Sequence, residues 1–345
     1  MKKLRVAING FGRIGRVFFR QALENPNVEI VAINDLADVN TLAYLLKYDS
    51  VYGIYNKKIE TEINDQQKLI VDNKPILFFQ KKEPLELPWK DLDIDVVIES
   101  TGVFESFEKA SVHLKAGAKR VIITAPAKDD DGSLAKGATI ICGINDDLIS
   151  RVKITSNGSC TTNAIAPALA ILIKTVGVKK AILNTTHAYT ATQRIVDGPD
   201  AKDLRRGRAG AINLVPSTTG AAIAVGKVIK ELDGIFDGIS IRTPVPTVSL
   251  ADITFLASRQ TSVEEINQIF VEASKSPQWQ KIFTVVSDPV VSTDLIGNPH
   301  ASIADLSFIK VIDGDLVKVL VWYDNEWGYA ASLLNHLLKI AQIKE

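Results

Sequence analysis

Residues 4–15 read LRVAINGFGRIG, and they carry the strongest indication of fold in the first half of the chain. The apolar run Leu4–Ile8 predicts a β-strand buried on both faces, and it leads into the pattern G-x-G-x-x-G at Gly10, Gly12 and Gly15. Glycines at this spacing permit a tight turn, a close approach of the backbone to a pyrophosphate, and close packing of the next helix. The stretch therefore predicts a dinucleotide-binding turn, although a purely structural turn also fits this motif on its own.

Asp35 strengthens the dinucleotide interpretation, because it closes a second predicted strand about twenty residues after the glycines, as a ribose-binding acid does. A carboxylate there accepts hydrogen bonds from ribose hydroxyls and repels a 2′-phosphate. The residues that follow, Leu36, Ala37 and Asp38, include no arginine to receive that phosphate. The sequence therefore predicts NAD, not NADP, as the cofactor.

Apolar runs and amphipathic segments alternate through the first half, and this alternation is typical of a parallel sheet with crossover helices. We expect a Rossmann-type α/β domain, with antiparallel strands from 52–79 added at one edge. The predicted strands are Leu4–Ile8, Ile30–Asn34, Val96–Ser100 and Val121–Thr124, and the predicted helices are Ile14–Leu23, Val39–Lys47 and Phe107–Ala116.

Longer, partly alternating strands dominate the second half, which predicts an α+β domain with a mixed or antiparallel sheet. We expect an NAD-binding domain at 1–157, a catalytic domain at 158–326, and a terminal helix at 327–345 that packs back on the first domain. The predicted strands are Ala181–Thr186, Ile239–Arg242, Val248–Ser258, Ser307–Val311 and Val317–Tyr323, and the predicted helices are Ala164–Val176, Val263–Ser274 and Tyr329–Ile343.

The composition excludes several classes of protein. Among the 345 residues, 40 basic and 40 acidic side chains cancel, which argues against a nucleic-acid or anionic-membrane surface. No apolar run is long enough to span a bilayer.

The two cysteines, Cys142 and Cys160, exclude a disulfide framework and favour a reducing compartment, so we expect a cytoplasmic protein. The acidic run 129–131 indicates a solvated turn, and no metal site is predicted.

Cys160 is the strongest candidate for a catalytic residue. It lies between a predicted strand, Val152–Ser156, and an apolar helical run, so we expect it at a helix N-terminus. The helix dipole there favours negative charge, and the thiol should ionise more readily than a free one. His187 ends another β-rich run, and a cysteine with a separately placed histidine is the minimum equipment for covalent catalysis. A buried structural cysteine is the alternative, which the polar neighbours of Cys160 disfavour.

Seven ordered segments carry a resemblance to a known family. The chain closely resembles the phosphorylating glyceraldehyde-3-phosphate dehydrogenases, of the NAD-dependent bacterial glycolytic type, along essentially its whole length. The matching segments are Ala7–Arg16 (AINGFGRIGR), Leu45–Val51 (LLKYDSV), Glu99–Phe104 (ESTGVF), Ser156–Asn163 (SNGSCTTN), His187–Pro199 (HAYTATQRIVDGP), Pro216–Gly226 (PSTTGAAIAVG) and Trp322–Tyr329 (WYDNEWGY).

The resemblance implies a reaction and two phosphate pockets. Cys160 attacks the aldehyde of glyceraldehyde 3-phosphate while His187 acts as base, hydride passes to the nicotinamide, and inorganic phosphate cleaves the thioester to give 1,3-bisphosphoglycerate. The implied ligands of the substrate phosphate are Thr190, Thr192 and Arg242. The implied ligands of inorganic phosphate are Ser159, Thr161, Thr219 and Gly220, with Arg205 as a further contributor.

The resemblance also implies cofactor contacts and an assembly. Lys82 stands where many members of the family carry arginine, and Ala164 replaces a second cysteine that many members carry. Residues 189–212 match the family's S-shaped loop, which lines a neighbouring subunit's cofactor site, so a homotetramer is implied. The implied cofactor-binding residues are Gly10, Gly12, Arg13, Ile14, Gly15, Asp35, Lys82, Thr124 and Asn325.

Two alternatives stay open at this point. A dehydrogenase of erythrose 4-phosphate would share the cysteine, the histidine and the nucleotide-binding turn, although the segments 190–193 and 219–222 favour glyceraldehyde 3-phosphate. A non-catalytic NAD-binding protein could use the same fold, because a fold does not determine a function. Retention of Cys160 and His187 disfavours that second alternative.

Overall fold

The computed structural model of the protein describes residues 3–201 and 203–343. The chain divides into two compact units. The first comprises Met1–Ile140, Asn145–Gly158 and Leu333–Glu345, and the second comprises Ile141–Ile144 and Ser159–Ser332. The domain limits predicted from the sequence, 1–157 and 158–326, stay a prediction.

The first unit is built on a nine-stranded sheet, accompanied by a short hairpin of β3 and β4. Its strands are β1 (Leu4–Asn9), β2 (Val28–Asn34), β3 (Tyr48–Asp49), β4 (Gly53–Ile54), β5 (Ile59–Glu62), β6 (Lys68–Val71), β7 (Lys74–Phe79), β8 (Val96–Glu99), β9 (Arg120–Ile123), β10 (Ala138–Thr139) and β11 (Ile154–Ser156). Its helices are α1 (Arg13–Ala22), α2 (Val39–Lys47), α3 (Phe107–Ala110) and α4 (Val112–Lys115), with 3₁₀ turns at Pro84–Glu86 and Asp146–Arg151.

The strand order in this sheet is β10-β11-β9-β8-β1-β2-β7-β6-β5. All pairs from β10 to β7 are parallel, whereas β6 pairs antiparallel with β7 and with β5. This arrangement confirms the predicted Rossmann-type sheet and its antiparallel edge. The carboxyl ends of β1, β2 and β8 meet at one edge of the sheet, where open α/β sheets bind ligands.

The predicted helix at Phe107–Ala116 is interrupted in the structure. It consists of α3 and α4, which are separated at Ser111. The Ser111 hydroxyl donates a 2.6 Å hydrogen bond to the Glu108 carbonyl, and such side-chain bonds compete with the helical backbone pattern. The apolar periodicity predicted a helical segment at 107–116, but it did not indicate the interruption at Ser111.

The second unit is built on a seven-stranded mixed sheet. Its strands are β12 (Val178–Ala188), β13 (Val215–Thr218), β14 (Phe236–Thr243), β15 (Ser249–Ala257), β16 (Phe283–Val286), β17 (Ser302–Ile312) and β18 (Leu316–Tyr323). The remaining helices are α5 (Cys160–Thr175), α6 (Ala221–Val228), α7 (Val263–Lys275) and the terminal α8 (Trp327–Ile340), with 3₁₀ turns at Leu204–Gly207, Lys230–Leu232 and Ser292–Leu295.

The order of this sheet is β13-β14-β12-β15-β18-β17-β16, and it confirms the predicted α+β architecture. Parallel pairing of β12 with β14 sets His187 directly beside Arg242, while β15 pairs antiparallel on the other side of β12. Helix α5 lies in the main hydrophobic core of the unit, together with buried residues of β12, β15 and β18. The sheet and α5 therefore provide a rigid frame for the two candidate catalytic residues.

Within the described ranges 3–201 and 203–343, no helix is both long enough and apolar enough to cross a membrane.

Candidate active site

Cys160 is the first residue of α5, which confirms the predicted position at a helix N-terminus. Ser159 caps the helix, since its Oγ accepts a 3.0 Å hydrogen bond from the Thr162 backbone N–H. The cap satisfies the Thr162 N–H, while the N–H groups of Cys160 and Thr161 precede the first possible helical acceptor. These groups and the helix dipole favour negative charge on the sulfur or on an oxygen bonded beside it.

The Cys160 thiol lies 3.4 Å, measured from Sγ, from Nε2 of His187. His187 is buried near the end of β12, and its ring also packs edge-on against Tyr323, with 6.0 Å between the ring centroids. A thiol and an imidazole at this separation can exchange a proton directly. The structure thus brings together the two residues that the sequence predicts to be catalytic.

The other ring nitrogen of His187, Nδ1, has two close neighbours. The Ala188 carbonyl oxygen is 2.7 Å away, and Nη1 of Arg242 is 2.6 Å away. Arg242 also reaches the Ala188 carbonyl from the same nitrogen, at 3.3 Å. One carbonyl acceptor and one cationic donor therefore compete for the same imidazole nitrogen.

Burial sets the protonation states of this pair. Desolvation and then the positive charge of Arg242 lower the pKa of His187 to about 3, so the imidazole is neutral near neutral pH. Burial raises the pKa of the Cys160 thiol, while Arg242 and the hydrogen bonds of Thr161 act in the opposite direction. The expectation that the thiol ionises more readily than a free one is wrong for the protein without ligands, because desolvation outweighs the charge effects.

Tyr323 is a residue of the site that the sequence reasoning missed. Its buried hydroxyl lies 2.9 Å from Oγ1 of Thr161 and 2.8 Å from Oγ1 of Thr185, so it links the first turn of α5 to β12. Alternate residues of β18 are buried and the last of them is Tyr323. That alternation, together with the matched segment at 322–329, is the signal that could have identified it.

The candidate phosphate ligands are distributed over several elements. Thr190 and Thr192 follow β12, and their hydroxyl oxygens lie 2.9 Å apart. Ser159 Oγ is engaged as the helix cap, and the Thr161 hydroxyl is engaged by Tyr323. Both residues still offer backbone N–H groups, at a helix start that suits anions.

The remaining candidate ligands lie outside the hydrogen-bonded group of Cys160, His187 and Arg242. Thr219 and Gly220 lie between β13 and α6, and the Thr219 hydroxyl accepts a 3.2 Å hydrogen bond from the Ala221 N–H. Arg205 is exposed in a 3₁₀ turn, 3.9 Å from the carboxylate of Asp203. Among the described residues, no hydrogen bond joins these three candidates to that group, and their role stays a prediction.

The predicted nucleotide-binding turn borders a cavity of about 520 Å³ in the first unit. A Cβ added to Gly15 would lie 2.3 Å from the Gly10 carbonyl oxygen, so only glycine permits this packing of α1. A Cβ added to Gly12 would meet nothing within 4 Å, so Gly12 leaves open space on the side where a ligand approaches. The cavity is lined by Asn9, Gly10, Gly12, Asn34, Asp35, Leu36, Lys81, Lys82, Glu83, Ser100, Thr101, Val103 and Phe104.

Asp35 contacts the glycine turn itself. Its Oδ2 accepts a 2.6 Å hydrogen bond from the Phe11 N–H, and its Oδ1 accepts a 3.0 Å hydrogen bond from the Ala37 N–H. Each carboxylate oxygen keeps a further lone pair for a ribose hydroxyl. Lys82 lies in the same cavity, so folding supplies a cation that is not adjacent to Asp35 in the sequence.

The other predicted cofactor residues have different surroundings. Arg13 forms an ion pair with Asp49 at 3.1 Å, so its guanidinium is engaged within the protein and its backbone begins α1 together with Ile14. Thr124 follows β9, and its N–H donates a 3.0 Å hydrogen bond to the Glu99 carbonyl. Neither Arg13, Ile14 nor Thr124 is among the described residues that line the cavity.

Asn325 belongs to the second unit, where the Ser249 hydroxyl orients its side chain by donating to Oδ1 at 3.1 Å. The Thr247 hydroxyl lies 3.5 Å from the same oxygen but is closer to the Asp324 carboxylate, at 3.0 Å. Between Thr247 and Ser249, Val248 adopts a φ of 65°, a strained conformation for a β-branched residue that costs roughly 1–3 kcal/mol. Because the amide oxygen is held, the NH₂ group of Asn325 is the end that suits a carbonyl acceptor on a ligand.

A buried polar network beneath the cavity was also missed by the sequence reasoning. Trp89 donates to Nδ1 of His113 at 3.2 Å, so Nε2 carries the proton and donates to Glu99 at 2.8 Å. Glu99 accepts from Asn9 at 2.6 Å, and Asn9 accepts from Asn34 at 2.7 Å. The network joins the ends of β1, β2 and β8, and only the spatial order of these strands reveals it.

The two cysteines have different environments. Cys142 is 2% exposed and packs with Ile282 and Ala301, whereas Cys160 is half-buried at the start of α5. Neither forms a disulfide. One turn after Cys160, the α5 residue Ala164 is fully buried in the core.

The residues of the first unit fit a dinucleotide. The open space at Gly12 suits a pyrophosphate at the start of α1, and Asp35 has free acceptor capacity for a ribose. In the second unit, Cys160, His187 and Arg242 form a buried nucleophile, base and cation. This combination suits covalent attack on a carbonyl group of an anionic substrate.

Comparisons with known proteins agree with this geometry. Residues 4–107 match the family model of the glyceraldehyde 3-phosphate dehydrogenase NAD binding domain, and residues 159–325 match that of its C-terminal domain. Glyceraldehyde-3-phosphate dehydrogenase of Borreliella burgdorferi is 46% identical over 98% of this chain and 100% of its own length. The corresponding proteins of Colletotrichum lindemuthianum (42%, 99% of each chain) and Bacillus subtilis (glyceraldehyde-3-phosphate dehydrogenase 2; 41%, 98% and 97%) are also similar.

Proposed function

The chain belongs to the glyceraldehyde-3-phosphate dehydrogenase family, and we propose that Cys160 is its nucleophile and His187 its base. The enzyme uses NAD and inorganic phosphate to convert glyceraldehyde 3-phosphate into 1,3-bisphosphoglycerate in glycolysis. The observation that carries the proposed residue roles is the 3.4 Å contact between Sγ of Cys160 and Nε2 of His187 at the start of α5.

In the first step, Sγ of Cys160 forms a bond to the aldehyde carbon and the thiol proton passes to Nε2 of His187. His187 then returns this proton to the former carbonyl oxygen, which gives a neutral thiohemiacetal. The backbone N–H groups of the first turn of α5 stabilise the negative charge that develops on that oxygen. Because burial and then the charge of Arg242 lower the pKa of His187 to about 3, its imidazole is neutral across the physiological range and is not already doubly protonated when the aldehyde binds.

The second step oxidises the thiohemiacetal to a thioester. Bound NAD would supply the hydride acceptor for this oxidation. His187 removes the hydroxyl proton, so the carbon–oxygen double bond reforms on Cys160. Inorganic phosphate then attacks the thioester carbon, the carbon–sulfur bond breaks, and the Cys160 sulfur takes back the proton held by His187.

Two anion pockets complete the proposal. The substrate phosphate binds Arg242 with the hydroxyls of Thr190 and Thr192, which already lie side by side. Inorganic phosphate binds the N–H groups of Ser159 and Thr161 at the start of α5. Thr219, Gly220 and Arg205 complete this second pocket.

An absorbance assay at the NADH wavelength tests the function directly. With aldehyde, NAD and phosphate together we expect continuous turnover. Without phosphate we expect a burst that does not exceed one NADH per Cys160, because the thioester accumulates. Continuous turnover without phosphate would contradict the proposed thioester cleavage, and faster turnover of erythrose 4-phosphate would contradict the substrate.

Arg242→Ala should weaken the use of the phosphorylated aldehyde. We expect kcat/KM to fall roughly ten- to a hundredfold. This fall corresponds to the about 1.5–3 kcal/mol that a hydrogen bond to a charged group contributes. The measurement compares glyceraldehyde 3-phosphate with unphosphorylated glyceraldehyde, for which the loss should be much smaller. An equal loss for both aldehydes would indicate structural damage and contradict phosphate recognition.

Wild-type enzyme should prefer NAD to NADP, because Asp35 repels a 2′-phosphate. Asp35→Asn should lower kcat/KM with NAD by roughly tenfold. The ratio of kcat/KM with NAD to kcat/KM with NADP should therefore decrease. Lys82→Met serves as the matched variant. Since Lys82 is a cation in the same cavity, its loss should lower efficiency with NADP more than with NAD. Equal efficiency of the wild type with both cofactors would contradict the role of Asp35.

We also propose a homotetramer in the cytoplasm. Support for the assembly comes from residues 189–212, which resemble the family's inter-subunit loop and include the strongly exposed apolar side chains of Ile195 and Val196. Support for the compartment comes from two cysteines outside any disulfide, since a catalytic thiol requires reducing surroundings. Sedimentation analysis of the purified protein tests the assembly.

A further inference from the structure

Nδ1 of His187 can satisfy only one of its two neighbours. A protonated Nδ1 donates to the Ala188 carbonyl at 2.7 Å, but it then presents an N–H to the guanidinium nitrogen of Arg242 at 2.6 Å. An unprotonated Nδ1 accepts from Arg242, but it then presents a lone pair to the Ala188 oxygen. Since arginine is only a donor, these are two distinct states of a neutral imidazole.

The two states differ in what they offer to Cys160. A neutral imidazole carries one proton, so an Nδ1 that accepts from Arg242 leaves the proton on Nε2, facing Sγ at 3.4 Å. In that state Nε2 cannot accept the thiol proton. When Nδ1 carries the proton instead, the lone pair of Nε2 faces the thiol and His187 can act as base.

We propose that the phosphate of the substrate switches His187 between these two tautomers by withdrawing Arg242 from Nδ1. This inference rests on the proposed binding of that phosphate by Arg242. Without substrate, Arg242 bonds Nδ1 and His187 carries its proton on Nε2. With the phosphate bound, Arg242 turns to the phosphate oxygens. Nδ1 then takes up a proton from solvent and donates a hydrogen bond to the Ala188 carbonyl, while Nε2 releases its proton to solvent.

Among the groups around His187, Arg242 has the greatest influence on which ring nitrogen carries the proton. The groups that contact it are the Cys160 thiol from α5, Arg242 from β14, the Tyr323 ring from β18 and the Ala188 carbonyl. Among the described residues, no carboxylate contacts the imidazole to fix its tautomer. The charge of Arg242 also lowers the pKa of His187, an effect that a bound phosphate dianion would offset.

The switch would couple the base to the correct substrate. A phosphorylated aldehyde prepares the base by the same contact that holds it, whereas water and small unphosphorylated aldehydes meet an imidazole in the inactive tautomer. Binding energy of a remote group is thereby used at the reacting centre. Arg242 acts in this respect as a positioning residue for His187, in addition to its contact with the substrate.

Nitrogen NMR of histidine-labelled protein tests the switch. The chain has four histidines, so the ¹⁵N ring signals of His187 can be assigned by comparison with His187→Asn. The protein is saturated with NAD and titrated with glycerol 3-phosphate, which carries the phosphate but no aldehyde, and glycerol is the control. We expect the Nδ1 signal to move from unprotonated to protonated with glycerol 3-phosphate and to stay unchanged with glycerol.

Two further measurements separate this inference from the phosphate pocket. In Arg242→Leu we expect a protonated Nδ1 with or without glycerol 3-phosphate. Calorimetry reports binding independently, so binding to the wild type without any change in the Nδ1 signal would overturn the switch and leave the pocket intact. An Nδ1 already protonated in the NAD complex would also overturn the switch. Absence of binding would overturn both proposals.

Discussion

Cys160→Ser should abolish nearly all turnover while the protein still binds NAD. A serine hydroxyl scarcely ionises near neutral pH and is a much poorer nucleophile than a thiol, so the covalent step fails although His187 remains. By analogy with the loss of other catalytic nucleophiles, we expect kcat to fall by roughly 10⁴- to 10⁶-fold. Steady-state turnover measures the loss, and titration of protein fluorescence with NAD measures cofactor binding.

Cys142→Ser is the matched control for this substitution. Cys142 belongs to the same unit, but it is buried against Ile282 and Ala301 and takes no part in the proposed chemistry. We expect near-normal kcat with some loss of thermal stability, because a hydroxyl is less favourable than a thiol in an apolar site. Appreciable turnover by Cys160→Ser would rule out covalent capture of the aldehyde.

His187→Asn should lower kcat by about 10²- to 10⁴-fold, the usual contribution of a general base. An amide cannot accept the proton of the thiol or of the thiohemiacetal hydroxyl. Alkylation of Cys160 by iodoacetamide near neutral pH should also slow, because the sulfur loses the imidazole at 3.4 Å. His300→Asn is the control, since His300 is a half-buried residue that bonds Asn298 and the Gln280 carbonyl.

The pH dependence of this alkylation follows from the protonation states. The pKa of His187 is lowered to about 3, so its protonation removes no reactivity between about pH 5 and 8. Burial raises the pKa of the Cys160 thiol, so the alkylation rate of the free enzyme should still be rising at alkaline pH. An alkylation rate unchanged by His187→Asn would contradict the coupling of the two residues.

Local pattern was sufficient to predict the elements that carry the chemistry. Gly10 and Gly15 leave no room for a Cβ, and Gly12 leaves open space for a ligand, so the motif predicted the structure of this turn directly. Cys160 begins α5 because Ser159 is a good cap, and this preference is also local. The apolar runs predicted most strands for the same reason, since their burial is a property of the segment itself.

Other features depend on contacts between residues that are far apart in the sequence, and no local pattern predicts these contacts. The pairing of β12 with β14 sets His187 beside Arg242, 55 residues later, and burial together with this contact lowers the pKa of the imidazole. Burial of the Cys160 thiol also depends on the packing of the second unit, and the local sequence at the start of α5 does not indicate it. Lys82 and Asp35 share a cavity only after β2 and β7 pair.

The different environments of the two cysteines also determine how the enzyme responds to oxidants. Peroxide converts a reactive thiolate to a sulfenic acid, which a neighbouring thiol can trap as a disulfide before further, irreversible oxidation. Cys160 has Ala164 one turn along its helix, and the side chain of Cys142 is buried in an apolar cluster. A sulfenic acid at Cys160 therefore depends on small thiols such as glutathione for its rescue, and the redox state of the surrounding thiol pool sets the surviving activity.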